Sequence, residues 1–105
     1  MLDLKKFQKI SKDLQSGMET MKEELAHKTV TGAAGGGVVQ VVVNGNQELV
    51  SIQIAPEAVD PDDVEMLQDL VLAATNQAIE KSKELQQESI NQLTGGMKLP
   101  NLPFF

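Results

Sequence analysis

Between Pro61 and Leu93 the chain holds no glycine and no second proline. That run of about 33 residues makes roughly 50 Å of helix at 1.5 Å per residue. The β-prone segments before it are short, and a six-residue strand spans only about 20 Å. A helix of that length cannot rest wholly on so small a sheet, so its far end needs another partner. Asp60-Pro61-Asp62-Asp63 predicts the start, with Asp60 as N-cap, Pro61 at the first helical position and carboxylates facing the positive end of the helix dipole. Thr94-Gly95-Gly96 predicts the stop. Val64, Leu67, Leu70, Val71, Ala74 and Ala78 suit packing on a sheet, whereas Leu85, Ile90 and Leu93 overhang it.

A second helix is expected over residues 3–28. Leu4, Phe7, Ile10, Leu14, Met18, Met21 and Leu25 recur with a mean spacing near 3.5, the seam of a helix packed along another helix. Gly17 weakens it by about 1 kcal/mol relative to alanine. From Thr29 the period changes. Strands are expected at about 29–31, 38–43 and 48–54, rich in β-branched residues that suit a pleated surface. Gly32 to Gly37, with alanines between, reads as an irregular connection. Asn44-Gly45-Asn46-Gln47 is a hairpin signal built from residues that tolerate positive φ. Val50, Ile52 and Ile54 share one face of the last strand, and Leu49, Ser51 and Gln53 the other.

The expected class is therefore α+β in the order α-β-β-β-α, a small antiparallel sheet with two long helices. Two arrangements satisfy the overhanging helices: a homodimer with helical arms on a joined β body, which the open strand edges favour, and an elongated monomer with a two-helix stalk. For the homodimer, the expected interface residues are Leu14, Met18, Met21, Leu25, Leu70, Leu85, Ile90 and Leu93.

The formal net charge is −6, with nine lysines and no arginine, but the charges are sorted along the chain. Residues 1–12 hold Lys5, Lys6, Lys9 and Lys12 against Asp3 alone. Residues 57–80 hold Glu57, Asp60, Asp62, Asp63, Glu65, Asp69 and Glu80 and no base. A uniformly acidic surface repels nucleic acid, whereas basic ends gathered by the fold can still present a positive one. Absence of cysteine removes disulfides, thiolate nucleophiles and zinc knuckles. No secretory leader is recognisable, and no apolar run approaches the roughly 20 residues of a membrane span. A soluble intracellular protein of one domain is expected.

Lys5, Lys9 and Lys12 fall on one helix face with Lys6 beside them. An ordinary solvated face and a phosphate-contacting stripe both fit that spacing. Lys22, Lys28, Lys81 and Lys83 complete the candidate set for nucleic acid. With no arginine there is no bidentate guanine reader, and with no aromatic residue on the strands there is no stacking platform for single strands. Nucleic-acid binding by this chain would thus be duplex backbone binding with little sequence preference. The acidic group at 60–65 lacks the Asp-x-Asp-x-Asp-Gly loop of a calcium site and is explained by helix capping. The glycine run leads into a strand without a phosphate-loop Gly-Lys-Ser/Thr. His27 and Ser11, Ser16, Ser51, Ser82 and Ser89 form no catalytic constellation. No enzyme activity, cofactor, metal or small-molecule substrate is expected.

Several segments, in order, resemble one family: Glu23-Glu24-Leu25; Gly32 to Gly37 leading into Val39-Gln40-Val41-Val42-Val43-Asn44-Gly45; Ile54-Ala55-Pro56-Glu57-Ala58-Val59-Asp60-Pro61-Asp62-Asp63-Val64-Glu65-Met66-Leu67-Gln68-Asp69-Leu70-Val71; and Gln92-Leu93-Thr94-Gly95-Gly96-Met97 before a Leu-Pro tail. Together they resemble the YbaB/EbfC family of bacterial nucleoid-associated proteins, from about residue 18 to about 100. The resemblance implies a tweezer-like homodimer that binds double-stranded DNA in the cytoplasm, at the nucleoid. It implies altered DNA conformation and an influence on gene expression and nucleoid organisation, without catalysis or a membrane partner. It implies a domain over 1–96; after it, the Pro-punctuated apolar residues 97–105 are themselves expected to form a flexible tail unless they dock. The competing expectation, favoured by net charge alone, is a dimeric helical adaptor for other proteins that does not touch DNA.

Overall fold

The computed structural model describes residues 4–93, except the side chain of Phe7. The expected tail at 97–105 and the stop at Thr94–Gly96 lie outside them. Five main elements follow one another: α1 (Leu4–Ala26), β1 (Thr29–Ala34), β2 (Val39–Asn44), β3 (Leu49–Ile54) and α2 (Val64–Leu93). The strands form one antiparallel sheet in the order β1-β2-β3. The molecule is a rod, 71 × 23 × 18 Å, as two long helices on a small sheet require.

α2 lies across β1 and β2. Val39, Val41 and Val43 of β2 point at it and are fully buried against Ala74, Ala78 and Ala58, flanked by Leu67, Leu70 and Val71. Small residues on α2 let it sit close, and β1 meets it with Gly32. A Cβ at Gly32 would run into the carbonyl oxygen of Ala74 and lie 2.5 Å from the amide nitrogen of Ala78. For that reason β1 continues through Gly32-Ala33-Ala34, pairing Gly32 with Val41 and Ala34 with Val39, where the sequence suggested that pairing stops at Thr31. The glycine belongs to the strand because only a glycine fits beneath this helix. Gly35–Gly37, all at positive φ (65, 74 and 95°), then make the turn into β2.

The start of α2 also differs from expectation. Asp60 caps a turn instead of the helix: its Oδ1 accepts from the Asp62 amide and its carbonyl from the Asp63 amide. Asp63 is the true N-cap, its Oδ1 accepting from the Met66 amide at 3.2 Å, and the helix begins at Val64. Two aspartate caps were available, and use of the second leaves Pro61 in the turn.

The β2–β3 hairpin forms around Asn44, but the residue at positive φ is Gln47 (φ 60°). Gln47 N–H bonds to Asn44 C=O, and Asn44 N–H to Glu48 C=O, a three-residue loop with the left-handed position last. Gly45 serves close approach instead. Its amide donates to the carbonyls of both Leu25 (2.8 Å) and Lys28 (2.9 Å), satisfying orphan groups at the end of α1, and Leu25 is buried beneath it. Asn46 Nδ2 adds a bond to the Lys22 carbonyl.

The other side of the hairpin is tied to α2 by Ser82, which is fully buried. Its hydroxyl donates to Asn44 C=O (2.6 Å) and accepts from the Gln47 amide and Nε2 (3.2 and 3.0 Å), using its single donor and both acceptor sites. Ser82→Ala is expected to cost about 1–3 kcal/mol in urea unfolding, since its buried partners give up a bond without gaining water. An unchanged midpoint would show that the contacts with the end of α1 hold the hairpin without Ser82.

Candidate nucleic-acid interface

α1 and α2 run antiparallel, joined through the hairpin at one end. Further out, a Cβ at Gly17 would lie 2.9 Å from Leu93 Cδ1, so α2 ends level with the middle of α1. Residues 4–16 therefore project past it for about 20 Å. This projecting arm carries Lys5, Lys6, Lys9 and Lys12 and a single acid, Asp13, all exposed. At 100° per residue Lys5, Lys9 and Lys12 lie on the side of α1 opposite the seam of Leu14, Met18 and Leu25. The four N-terminal candidates are thus gathered on one tip.

Six of the fifteen acids are at the other end. Glu57, Asp60, Asp62, Asp63, Glu65 and Asp69 cluster around the start of α2, and Asp69 is about 36 Å from Leu93 along the helix. Charges that far apart are separated by several Debye lengths, each about 8 Å at physiological ionic strength. That cluster therefore adds little to the field at the arm, where four lysines stand against Asp13 within residues 4–16 and Glu19 and Glu88 are the next acids toward the body. The Asp60 and Asp63 carboxylates are engaged as caps, and among the described residues no grouping suited to a metal ion occurs.

The remaining lysines are scattered. Lys22, Lys28 and Lys83 are exposed along the shaft and near the hairpin. Lys81 is engaged: its ammonium donates to the Thr31 carbonyl at 2.8 Å, while Gln77 Oε1 accepts from the Ala33 amide at 2.7 Å. Both bonds occupy backbone groups of β1, an edge strand. Among the described residues no side chain does the same for β3.

Of the residues expected at a dimer interface, Leu25 and Ile90 are buried within the single chain, and Leu70 packs on its core. Met18, Met21 and Leu85 are half-buried, and Leu14 and Leu93 remain open. A further uncovered apolar surface lies elsewhere. Val50, Ile52 and Ile54 are 58, 47 and 40% exposed although they face the same side as buried Val39 and Val41, and Leu72 beside them on α2 is 60% exposed. A helix about 10 Å wide cannot cover three strands spaced about 4.8 Å apart. The count alone leaves one edge strand uncovered, and the position of α2 over β1 and β2 makes that strand β3.

Comparison with known proteins gives concordant results. The model of the YbaB/EbfC DNA-binding family matches residues 1–97. A nucleoid-associated protein of Pelotomaculum thermopropionicum is 47% identical over 100 residues, 95% of each chain. Another, from Desulfotalea psychrophila, is 46% identical over 104 residues, 99% of this chain and 98% of its own. The crystal structure of an uncharacterized Helicobacter pylori protein, HP0035, superposes with a TM-score of 0.81 at 23% identity, covering 90% of this chain and all of that one, and shares the fold.

Proposed function

The chain belongs to the YbaB/EbfC DNA-binding family, and we propose on that basis that it is a nucleoid-associated protein gripping duplex DNA through backbone phosphates, with little sequence preference and without catalysis. The observation that carries this reading is the lysine-rich tip of α1, set about 40 Å or more from the acidic start of α2 along the helices. Lysine ammonium groups act on phosphate as point charges, and with no arginine in the chain the commonest specific base contact is missing.

The DNA-binding form is a homodimer, with the uncovered faces of β3 and α2 meeting in the body and the arms projecting as tweezers. Support comes from the apolar surface of Val50, Ile52, Ile54 and Leu72 and from the open β3 edge, against the occupied edge of β1. Two arms bring two lysine stripes to one duplex. A duplex held between them conforms to their spacing, which is how binding alters its conformation. Among the described residues no helix is long and apolar enough to cross a membrane, in keeping with a role at the nucleoid.

Mobility-shift titration on duplex DNA at about 50 and 200 mM salt tests this reading, with the Lys5, Lys6, Lys9, Lys12→Gln variant in parallel. The variant is expected to bind about tenfold more weakly at the lower salt. The slope of log K against log salt should become shallower by about 0.9 for each phosphate that is no longer neutralised. A parent protein that shifts no duplex at low salt overturns the DNA reading. A variant that binds like the parent leaves that reading standing and removes its assignment to the arm.

A further inference from the structure

Beyond Leu93 the seam of α1 has no partner among the described residues. Leu4, Ile10 and Leu14 are 73, 67 and 52% exposed, and they continue the line of Met18 and Leu25 that α2 and the hairpin cover further in. Such an arm is poorly suited to stand alone. Isolated helices shorter than about 12–15 residues are marginal in water. This one has no acid in its first turn, has lysines at the positive end of its dipole and is rooted at Gly17.

The twelve residues after Leu93 begin at the point where the seam loses its cover. Fully extended they reach about 40 Å, twice the open length of the arm. Met97, Leu99, Leu102, Phe104 and Phe105 give them large apolar side chains, with Lys98 as their only charged side chain. Pro100 and Pro103 favour extended chain that needs no strand partner, and Gly95-Gly96 favours a break from the helix before it.

We propose that residues 97–105 lie along the open seam of α1 in their own chain, over Leu4, Ile10 and Leu14, completing the shaft that α2 leaves unfinished. Attachment at Leu93 favours docking within the chain, because a short tether holds the segment at an effective concentration of the order of millimolar. Lys5, Lys9 and Lys12 lie on the opposite side of α1, so docking braces the arm without covering that side. Apolar complementarity carries this placement, which is independent of DNA binding.

The chain has no cysteine, so engineered pairs report without background. Full-length Ile10→Cys/Leu99→Cys and Ile10→Cys/Leu102→Cys proteins are treated with a short bismaleimide, beside a Lys12→Cys/Leu99→Cys control on the far side of α1. At least one seam pair should crosslink within its chain about tenfold faster than the control, as local proximity dictates. Equal rates overturn the proposal, and so does a product formed only between chains, which assigns the seam to a second copy. Hydrogen exchange gives a second reading. Removing residues 97–105 should lower protection of amides 8–16 about tenfold while leaving 18–26 unchanged; unchanged protection at 8–16 also overturns it.

Discussion

Gly32→Ala is expected to destabilise the fold by about 3–4 kcal/mol, lowering the melting temperature by roughly 15–25 °C for a domain of this size. The added methyl has nowhere to go. It meets the Ala74 carbonyl, the Ala78 amide nitrogen and, at 2.9 Å, the Ala78 Cβ, and all three belong to a helix that cannot rotate them aside. Relief requires α2 to lift from β1. Lifting it opens the packing of Ala74 and Ala78 on Val39 and Val41, the buried centre of the molecule, so an overpacking cost and a cavity cost act together. Gly36→Ala is the useful contrast. No atom lies within 4 Å of its added methyl, and the only penalty is φ +74°, about 1 kcal/mol. Thermal melts of the two variants at equal protein concentration check the difference. A Gly32→Ala protein melting within a few degrees of the parent would falsify the close approach of β1 and α2.

The order of elements was legible because each rests on a local signal that packing did not override: a 3.5-residue seam in α1, β-branched runs in β2 and β3, and a long run free of glycine in α2. The boundaries moved where a tertiary contact decided among local options. Asp60 and Asp63 are both competent caps, and their order in the turn selected the second. The Gly32 to Gly37 run reads as one flexible linker, yet its first glycine is a packing residue and its last three are a turn. Only the helix above β1 distinguishes them. The Asn44-Gly45 signal located the hairpin, although Gln47 takes the left-handed position and Gly45 is reserved for the end of α1.

The lysines were legible as a cluster, and the structure adds their distance from the acidic start of α2, which no count of charges contains. Leu25 and Ile90 illustrate the opposite limit. Their spacing identifies an apolar seam, but a seam can be filled from within the chain, and here the hairpin fills it at Leu25. The β3 face was missed for a related reason. Alternation shows that a strand has an apolar side; it does not show whether a helix is wide enough to cover it.

Ile52→Glu is expected to turn the proposed dimer into a monomer, raising the dissociation constant at least about a hundredfold, which corresponds to about 2.7 kcal/mol. Ile52 lies at the middle of the uncovered β3 face, between Val50 and Ile54 and on the same side as Leu72. Burying each such side chain contributes about 1.5–3 kcal/mol. In a two-fold assembly the same patch is used on both copies, so one substitution removes two isoleucines and introduces two carboxylates. An unpaired carboxylate in an apolar interface costs several kcal/mol more. The single chain should tolerate the change, because Ile52 is already exposed there, and its helical circular dichroism should match the parent's. Sedimentation of Ile52→Glu beside Leu14→Glu separates the two places where copies could meet. If Leu14→Glu dissociates the protein and Ile52→Glu does not, the copies join along the arms and β3 is free. If Ile52→Glu alone dissociates it, each monomer keeps its lysine tip but only one arm reaches a given duplex. The salt dependence of DNA binding should then fall to about half the parent slope, because the number of phosphates neutralised per complex is halved.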